Sequence, residues 1–428
     1  MGLLQKIKEH DFIKSVAVLM TGTLVAQIVS YAVSPIISRL YDPAAMSDLN
    51  LFMRVIGFIS ALATARFELS LPLPKQDSHS YLLFRLSLRI TVITLLVCAV
   101  GGLIYSFFAA TTGYYFVFGT LVLLSTFFVV FINLGTNWSI RKGKFSTISY
   151  SRISNSIVSN ALRIGFGYIG WGSFGIILAT FIGYVASSLG FIKNYLENRT
   201  IYSNYKSRHK TIVLVTEYKD FPSVSLPHVL VDVGRDLIIA FLVILYFGKT
   251  IFGSYSFSLV MLNVPVAIIG QAIGQVFFKK CSDLVKDKKE VISLITSTMK
   301  MLFAISIVPF TLLFFYGEPI FTFVFGKKWS EAGYYSEILA IYMFFNFMIS
   351  PISNLPIILK RQKTYFFIGL TNTLIQLVFF GLLPLFVLKT DINFVKLLWI
   401  VTIAQSLIMV YTYFIFVRYA KLSVMEKE

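Results

Sequence analysis

Charge is scarce in this sequence. Only 14% of its 428 residues are Asp, Glu, Lys or Arg, against roughly a quarter in a soluble domain, so its surface cannot face water on every side. Cysteine is nearly missing, with Cys98 in an apolar run and Cys281 in a Lys-rich loop; two such residues give neither a disulfide framework nor a metal-spaced cluster. The four histidines, His10, His79, His209 and His228, form no motif. No G-x-x-x-x-G-K followed by Ser or Thr occurs, and no polar stretch is long enough for an ATPase domain, which excludes nucleotide-driven chemistry within the chain. No cofactor is expected. Acidic residues are the minority, 20 against 38 Lys and Arg. A basic excess points to nucleic acid only when it forms a patch on a soluble module. Here it is spread in short stretches between apolar runs, which is the positive-inside bias of a membrane protein, and no nucleic-acid partner is expected.

What the sequence does have is apolar length. Hydrophobic residues make up 57% of it, with 42 Phe and 23 Tyr. Apolar spans lie near 13–38, 49–72, 86–109, 114–135, 148–170, 172–193, 226–247, 251–277, 294–316, 335–358, 365–388 and 394–417. Each is about 20 residues or longer, enough to cross the hydrocarbon core. Lipid offers the backbone no partner, so each span must be a helix. The first is too long for a signal-peptide core and reads as a retained helix. The expectation is an all-α membrane protein of about twelve transmembrane helices.

Basic residues set the orientation. With a cytoplasmic N-terminus, Lys6, Lys8 and Lys14, Arg141, Lys142, Lys144 and Arg152, and Lys279 and Lys280 all fall on the cytoplasmic side. The opposite side holds only Arg39, Lys249, Lys327, Lys328, Lys389 and Lys396. Both termini are therefore expected to be cytoplasmic, in the inner membrane. The longest polar stretch, 194–225, divides the chain near its middle. It predicts an N-terminal six-helix lobe over 1–193, a cytoplasmic linker, and a C-terminal six-helix lobe over 226–428, a duplication common in transporters.

Charges inside apolar spans carry the functional signal. Arg54, Arg66 and Glu68 lie in the second span, Arg163 in the fifth, and Asp232, Arg235 and Asp236 in the seventh. A charge at a helix centre costs about 2.5–3.5 kcal/mol, so such residues face a water-filled cavity or one another. Asp232, Arg235 and Asp236 share one helix face, as an ion pair that staples the bundle or as a cavity wall. Arg66 and Glu68, two apart, do not face each other on a helix, and near the cytoplasmic end Arg66 could equally be an interfacial anchor. Guanidinium groups fork onto phosphate oxygens through paired hydrogen bonds, which suits a pyrophosphate better than an organic cation. Glutamine and asparagine pairs four apart, Gln271 and Gln275, Asn372 and Gln376, and Asn133 and Asn137, suit helix-to-helix bonding or sugar binding. Pro35, Pro265, Pro309 and Pro384 interrupt spans where a transporter could bend.

Several segments resemble the Wzx-type polysaccharide flippases of the MOP superfamily, the group that also contains MATE exporters and the lipid II flippase. They are TGTLVAQIVSYAVSPIISRLYDP (21–43), ATARFELSLPLPK (63–75), EYKDFPSVSLPHVL (217–230), NVPVAIIGQAIGQVFF (263–278) and VFGKKWSEAGYYSEILA (324–340). The last is the most specific, with Phe-Gly, Trp and Ala-Gly at the family's spacing. Where the family often has Phe-Gly in the first external loop, this chain has Met46-Ser47. The resemblance implies two six-helix lobes in a V around a cationic cavity. It implies a substrate of undecaprenyl pyrophosphate bearing an oligosaccharide repeat, moved outward by alternating access with proton or sodium coupling, and association with polysaccharide polymerase machinery. On this reading Arg54, Arg66, Arg163 and Arg235 bind substrate, and Glu68, Asp232 and Asp236 couple ions. Of these, only Arg66 and Glu68 match a family motif. The alternative is a MATE-like small-molecule exporter. A membrane enzyme is not expected, because the longest external loop, 317–334, is short and lacks His.

Overall fold

The computed structural model describes residues 2–109, 113–202, 205, 207–286, 291–359, 361–384 and 393–425, helical almost throughout and without a strand among them. Lys389 and the end of the expected span 365–388, from residue 385, lie outside the described residues. The chain forms two compact units. The first runs to Tyr41 and resumes over Asp48–Leu237; the second takes Asp42–Ser47 and the chain from Ile238 onward.

The helices of the first half are α1 (Gly2–Leu40), α2 (Pro43–Ala63), α3 (Asp77–Ala109), α4 (Gly113–Arg141), α5 (Phe145–Ile169), α6 (Gly172–Ile201), α7 (Arg208–Glu217) and α8 (Leu226–Phe247). Then come α9 (Lys249–Leu262), α10 (Gln271–Lys286), α11 (Ile292–Phe325), α12 (Ser330–Ile349), α13 (Leu355–Ile358), α14 (Gln362–Leu377) and α15 (Phe394–Met425). Large apolar side chains such as Val97, Phe107, Leu245 and Phe323 stand exposed along them, which only a hydrocarbon solvent tolerates on this scale.

Nine helices among the described residues are long and apolar enough to cross a membrane. The other three expected spans fall short of that for identifiable reasons. α5 is rich in serine because its polar face bonds to neighbouring helices. Ser149 donates to the Val18 carbonyl (2.9 Å), Ser156 to Ala26 (2.8 Å), Ser151 to Ser187 (2.8 Å), and the Ser30 and Ser156 hydroxyls share a bond of 2.9 Å. Hydroxyl pairs of this kind join helices in lipid. α8 carries Asp232, Arg235 and Asp236. The span begun by α14 has a shorter apolar part, Phe367–Leu382, within the described residues.

Three expectations about local structure are corrected. The second span does not run helically to residue 72: α2 ends at Ala63, Ala65 and Arg66 adopt positive φ (47° and 63°), and Phe67–Ser70 is a 3-10 turn. The Thr64 hydroxyl accepts the Arg66 N–H (3.3 Å) at the break, and Pro72 and Pro74 stop helix from re-forming beyond it. The expected external loop 317–334 is mostly helix, belonging to α11 and α12 on either side of Gly326 and a 3-10 turn. Cys281 sits fully buried within α10, not in a loop.

Close packing of small residues positions the elements. A Cβ on Gly135 of α4 would lie 2.3 Å from the Phe191 ring of α6, and one on Gly253 of α9 would lie 1.7 Å from the Pro43 carbonyl oxygen. Regular helix is interrupted by π segments at Phe221–Ser225, Val266–Gly270 and Val378–Leu382. A kink at Tyr316 lies between Pro309 and Pro319 of α11.

Candidate functional site

All seven charges singled out within apolar spans belong to the first unit. The structure groups them into three settings.

The first joins α2 and α8. Arg54 donates from Nη1 to the Asp236 backbone carbonyl (2.6 Å). Arg235 donates through Nε (3.1 Å) and Nη2 (3.0 Å) to one Asp236 oxygen, and its Nη1 lies 3.7 Å from Asp232. The pairing of Asp232 with Arg235 follows from their three-residue spacing, which puts both on one helix face. Two arginines and two aspartates balance in formal charge. Yet the carboxylate side chains are half exposed, 52% for Asp232 and 50% for Asp236, while Arg235 is only 19% exposed. Such an arrangement holds the guanidinium rigidly and leaves carboxylate oxygens open to an incoming cation.

The second setting is the turn after α2. Arg66 and Glu68, which would point apart on a helix, meet at 3.2 Å because the left-handed backbone at Ala65 and Arg66 folds them together. A non-glycine residue held at positive φ costs about 1–3 kcal/mol. The surroundings offset that cost: Phe67 and Leu71 are buried, and Arg141 at the end of α4 ties down the following loop. Its Nη1 donates to the Pro74 (2.5 Å) and Pro72 (3.3 Å) carbonyls, and its Nε to Asp77 (2.7 Å), with which Lys142 also pairs. Beyond the end of the α2 span, burial pushes the Glu68 carboxyl above its ordinary range, opposed by the Thr64 hydroxyl and the Arg66 charge.

Arg163 of α5 stands alone in the third. Its Nη2 donates to the Thr180 hydroxyl of α6 (2.9 Å) and its Nη1 to Asn160 (3.4 Å). The Tyr41 hydroxyl donates to the Arg163 backbone carbonyl (2.7 Å). Its Nε is buried without a hydrogen-bond partner, and no carboxylate pairs with it among the described residues. A guanidinium has five N–H donors, and here a whole positive charge is held by neutral groups.

Sequence reasoning did not find Thr180, Asn160 and Tyr41 around Arg163. The available signal was weak: Asn160 is three residues before Arg163 on the same helix, but Tyr41 is 122 residues away. Nor did it separate Arg85 and Arg89 of α3 and Arg199 of α6 from the general basic excess, although the first two share a helix face. Among the described residues no group of three His, Cys, Asp or Glu is placed to hold a metal ion.

Comparison with known proteins agrees with this architecture. A family model described as polysaccharide biosynthesis protein matches residues 36–334. The fold is similar to an inward-facing multidrug resistance MATE family transporter of the MOP superfamily, with TM-score 0.63 and 15% identity over 94% of this chain and 95% of that one. It is similar also to the lipid II flippase MurJ in an inward closed conformation, with TM-score 0.64 and 14% identity over 95% of this chain and 90% of that one. Among curated protein sequences, none matches. Identities this low speak for the fold alone.

Proposed function

Because the chain belongs to the polysaccharide biosynthesis protein family, we propose that it is a flippase for a lipid-linked oligosaccharide. The cargo is a repeat unit on undecaprenyl pyrophosphate, carried by alternating access from the cytoplasmic to the periplasmic leaflet of the inner membrane. The observation that carries this reading is Arg163. An arginine serving only to staple helices is matched by a carboxylate, since leaving a charge uncompensated in low dielectric is costly. Arg163 has hydroxyl and amide partners and unused donors, which suits it to an anion that arrives and leaves. A diphosphate takes paired N–H donors from a guanidinium.

The remaining charges divide the work. Arg54, Arg66 and Arg235 contribute positive potential along the first unit, and Glu68, Asp232 and Asp236 carry the coupling proton or sodium ion. The raised Glu68 carboxyl and the half-exposed aspartates support that assignment. Export of a small molecule is the second reading, favoured by the likeness in fold to a multidrug transporter; it calls for a cationic cargo and carboxylates as the binding groups.

The experiment uses the purified chain in liposomes with a polyprenyl-diphosphate-linked oligosaccharide, its glycan detected by a membrane-impermeant lectin. Translocation should require the protein, and the corresponding neutral prenol-linked glycan should not move. Efflux of organic cations with no movement of the glycan lipid would overturn the flippase reading in favour of the exporter.

A further inference from the structure

A cleft of 680 Å³ opens between α3 and α6 in the first unit, lined by none of the seven charges described above. Three arginines line it: Arg85 and Arg89, four apart on α3, and Arg199 on α6. Among the described residues none of them forms an ion pair with a carboxylate. Three positive side chains converge on one open space, and no carboxylate among the described residues pairs with them.

Its floor is rigid and aromatic. Tyr81 packs on Tyr202 at 5.3 Å between ring centroids and on Tyr195 at 6.2 Å, and Tyr195 stacks on Phe84 at 5.2 Å. Tyrosines of this kind concentrate where headgroups meet hydrocarbon, with the ring in one phase and the hydroxyl in the other. The cleft continues along α3 past Leu88 to Val92 and Ile93, both exposed. At 1.5 Å per residue, Ile93 lies about 12 Å along the helix from Arg85. One cleft therefore presents a cationic, hydroxyl-bearing end and an apolar end in sequence along α3. The cationic end is formed by the start of α3 and the end of α6, the end that the positive-inside pattern makes cytoplasmic.

A soluble anion would use the arginines and leave the apolar wall idle; an acidic peptide would have to bury its backbone against lipid-facing residues. We propose that this cleft is a binding site for an anionic phospholipid of the cytoplasmic leaflet, its phosphate held by Arg85, Arg89 and Arg199 and an acyl chain lying along Leu88, Val92 and Ile93. The second unit supplies an internal control. A cleft of 440 Å³ there is lined by Met299, Phe303, Phe345 and Met409, with Lys300 as its one cation, and it has no comparable grip on a phosphate.

The site is tested without reference to transport. The full chain, purified in mild detergent, is titrated with phosphatidylglycerol and with phosphatidylcholine of the same acyl chains, and bound lipid is counted by native mass spectrometry. Phosphatidylglycerol should be retained at least tenfold more strongly. The triple variant R85Q/R89Q/R199Q should remove that preference, and Lys300→Gln should leave it intact. If the triple variant fails to fold, the three single Gln variants each should weaken retention, and R85K/R89K/R199K should keep the preference. Equal retention of the two lipids, or no effect of any Gln substitution, would overturn the proposal. So would full displacement by millimolar inorganic phosphate, which would mark a site for soluble anions.

Discussion

Arg163 turns on a balance between desolvation and use. Thr180 and Asn160 together supply two neutral acceptors to a cation with five N–H donors, so the residue is costly to keep if nothing anionic ever reaches it. A hydrogen bond to a charged group contributes about 1.5–3 kcal/mol, which sets the scale of what a diphosphate would gain here under the proposed function. Arg163→Ala should therefore slow translocation in liposomes at least tenfold while the protein still inserts. Arg163→Lys, which keeps the charge but loses the planar fork, should recover part of the rate. Wild-type transport by the alanine variant would reduce Arg163 to a packing residue. Glu68 gives a prediction with a sign. Burial raises its folded-state value above the ordinary 4.5, so the native state keeps the proton to a higher pH than the unfolded chain does. The stability this contributes is complete below the ordinary value and is lost as pH rises through the raised one. Glu68→Gln, neutral at every pH, should flatten that fall in a series of thermal unfolding measurements. An unchanged slope would mean that Glu68 stays ionised as the plain partner of Arg66.

At the scale of elements, Gly253 shows how α9 is set against the start of α2 within the second unit. A methyl group there would sit 1.7 Å from the Pro43 carbonyl oxygen, inside any tolerable contact, and backbone must shift to admit it. Gly253→Ala should cost about 1–3 kcal/mol, the usual range for overpacking, read as a lower unfolding midpoint. Gly57→Ala on α2 meets nothing within 4 Å and should change stability little, or raise it slightly through helix propensity. Nine of the twelve expected spans are, among the described residues, helices long and apolar enough to cross a membrane, and they are legible because length and hydropathy report what lipid demands of a backbone. Polar α5 and charged α8 were visible by length even where their composition argued against them. The break after Ala63 was not legible. No glycine or proline marks residues 64–66, and the left-handed pair there is held by contacts made later in the chain, through Arg141 to the carbonyls of Pro72 and Pro74. For the same reason the Arg66–Glu68 pair is invisible to helical spacing, because the two residues lie beyond the end of the helix. The partners of Arg163 are hidden by separation: Thr180 belongs to the next helix, and Tyr41 directly follows the first.

At the scale of the whole molecule, Arg54, Arg66, Arg163 and Arg235 all sit in the first unit, and they do not travel with the cargo. Under the proposed function, what crosses the membrane is a diphosphate with roughly two negative charges, plus whatever ion is coupled to it. In a cell that is negative inside, each negative charge moved fully outward gains about 2.3 kcal/mol per 100 mV. An inward proton or sodium ion adds a term of the same sign. A cycle that moves an anion out and a cation in is thus driven by the potential on both counts, whereas exchange of a cationic drug for a proton moves compensating charges. Collapsing the potential in energised liposomes, with the proton gradient clamped, should slow translocation of the glycan lipid. A greater effect is expected for the diphosphate-linked substrate than for a monophosphate-linked one, since the two differ in charge and share the same lipid and sugar. Rates indifferent to the potential for both substrates would show that charge movement is not what drives the outward step. The cationic path would then serve recognition alone.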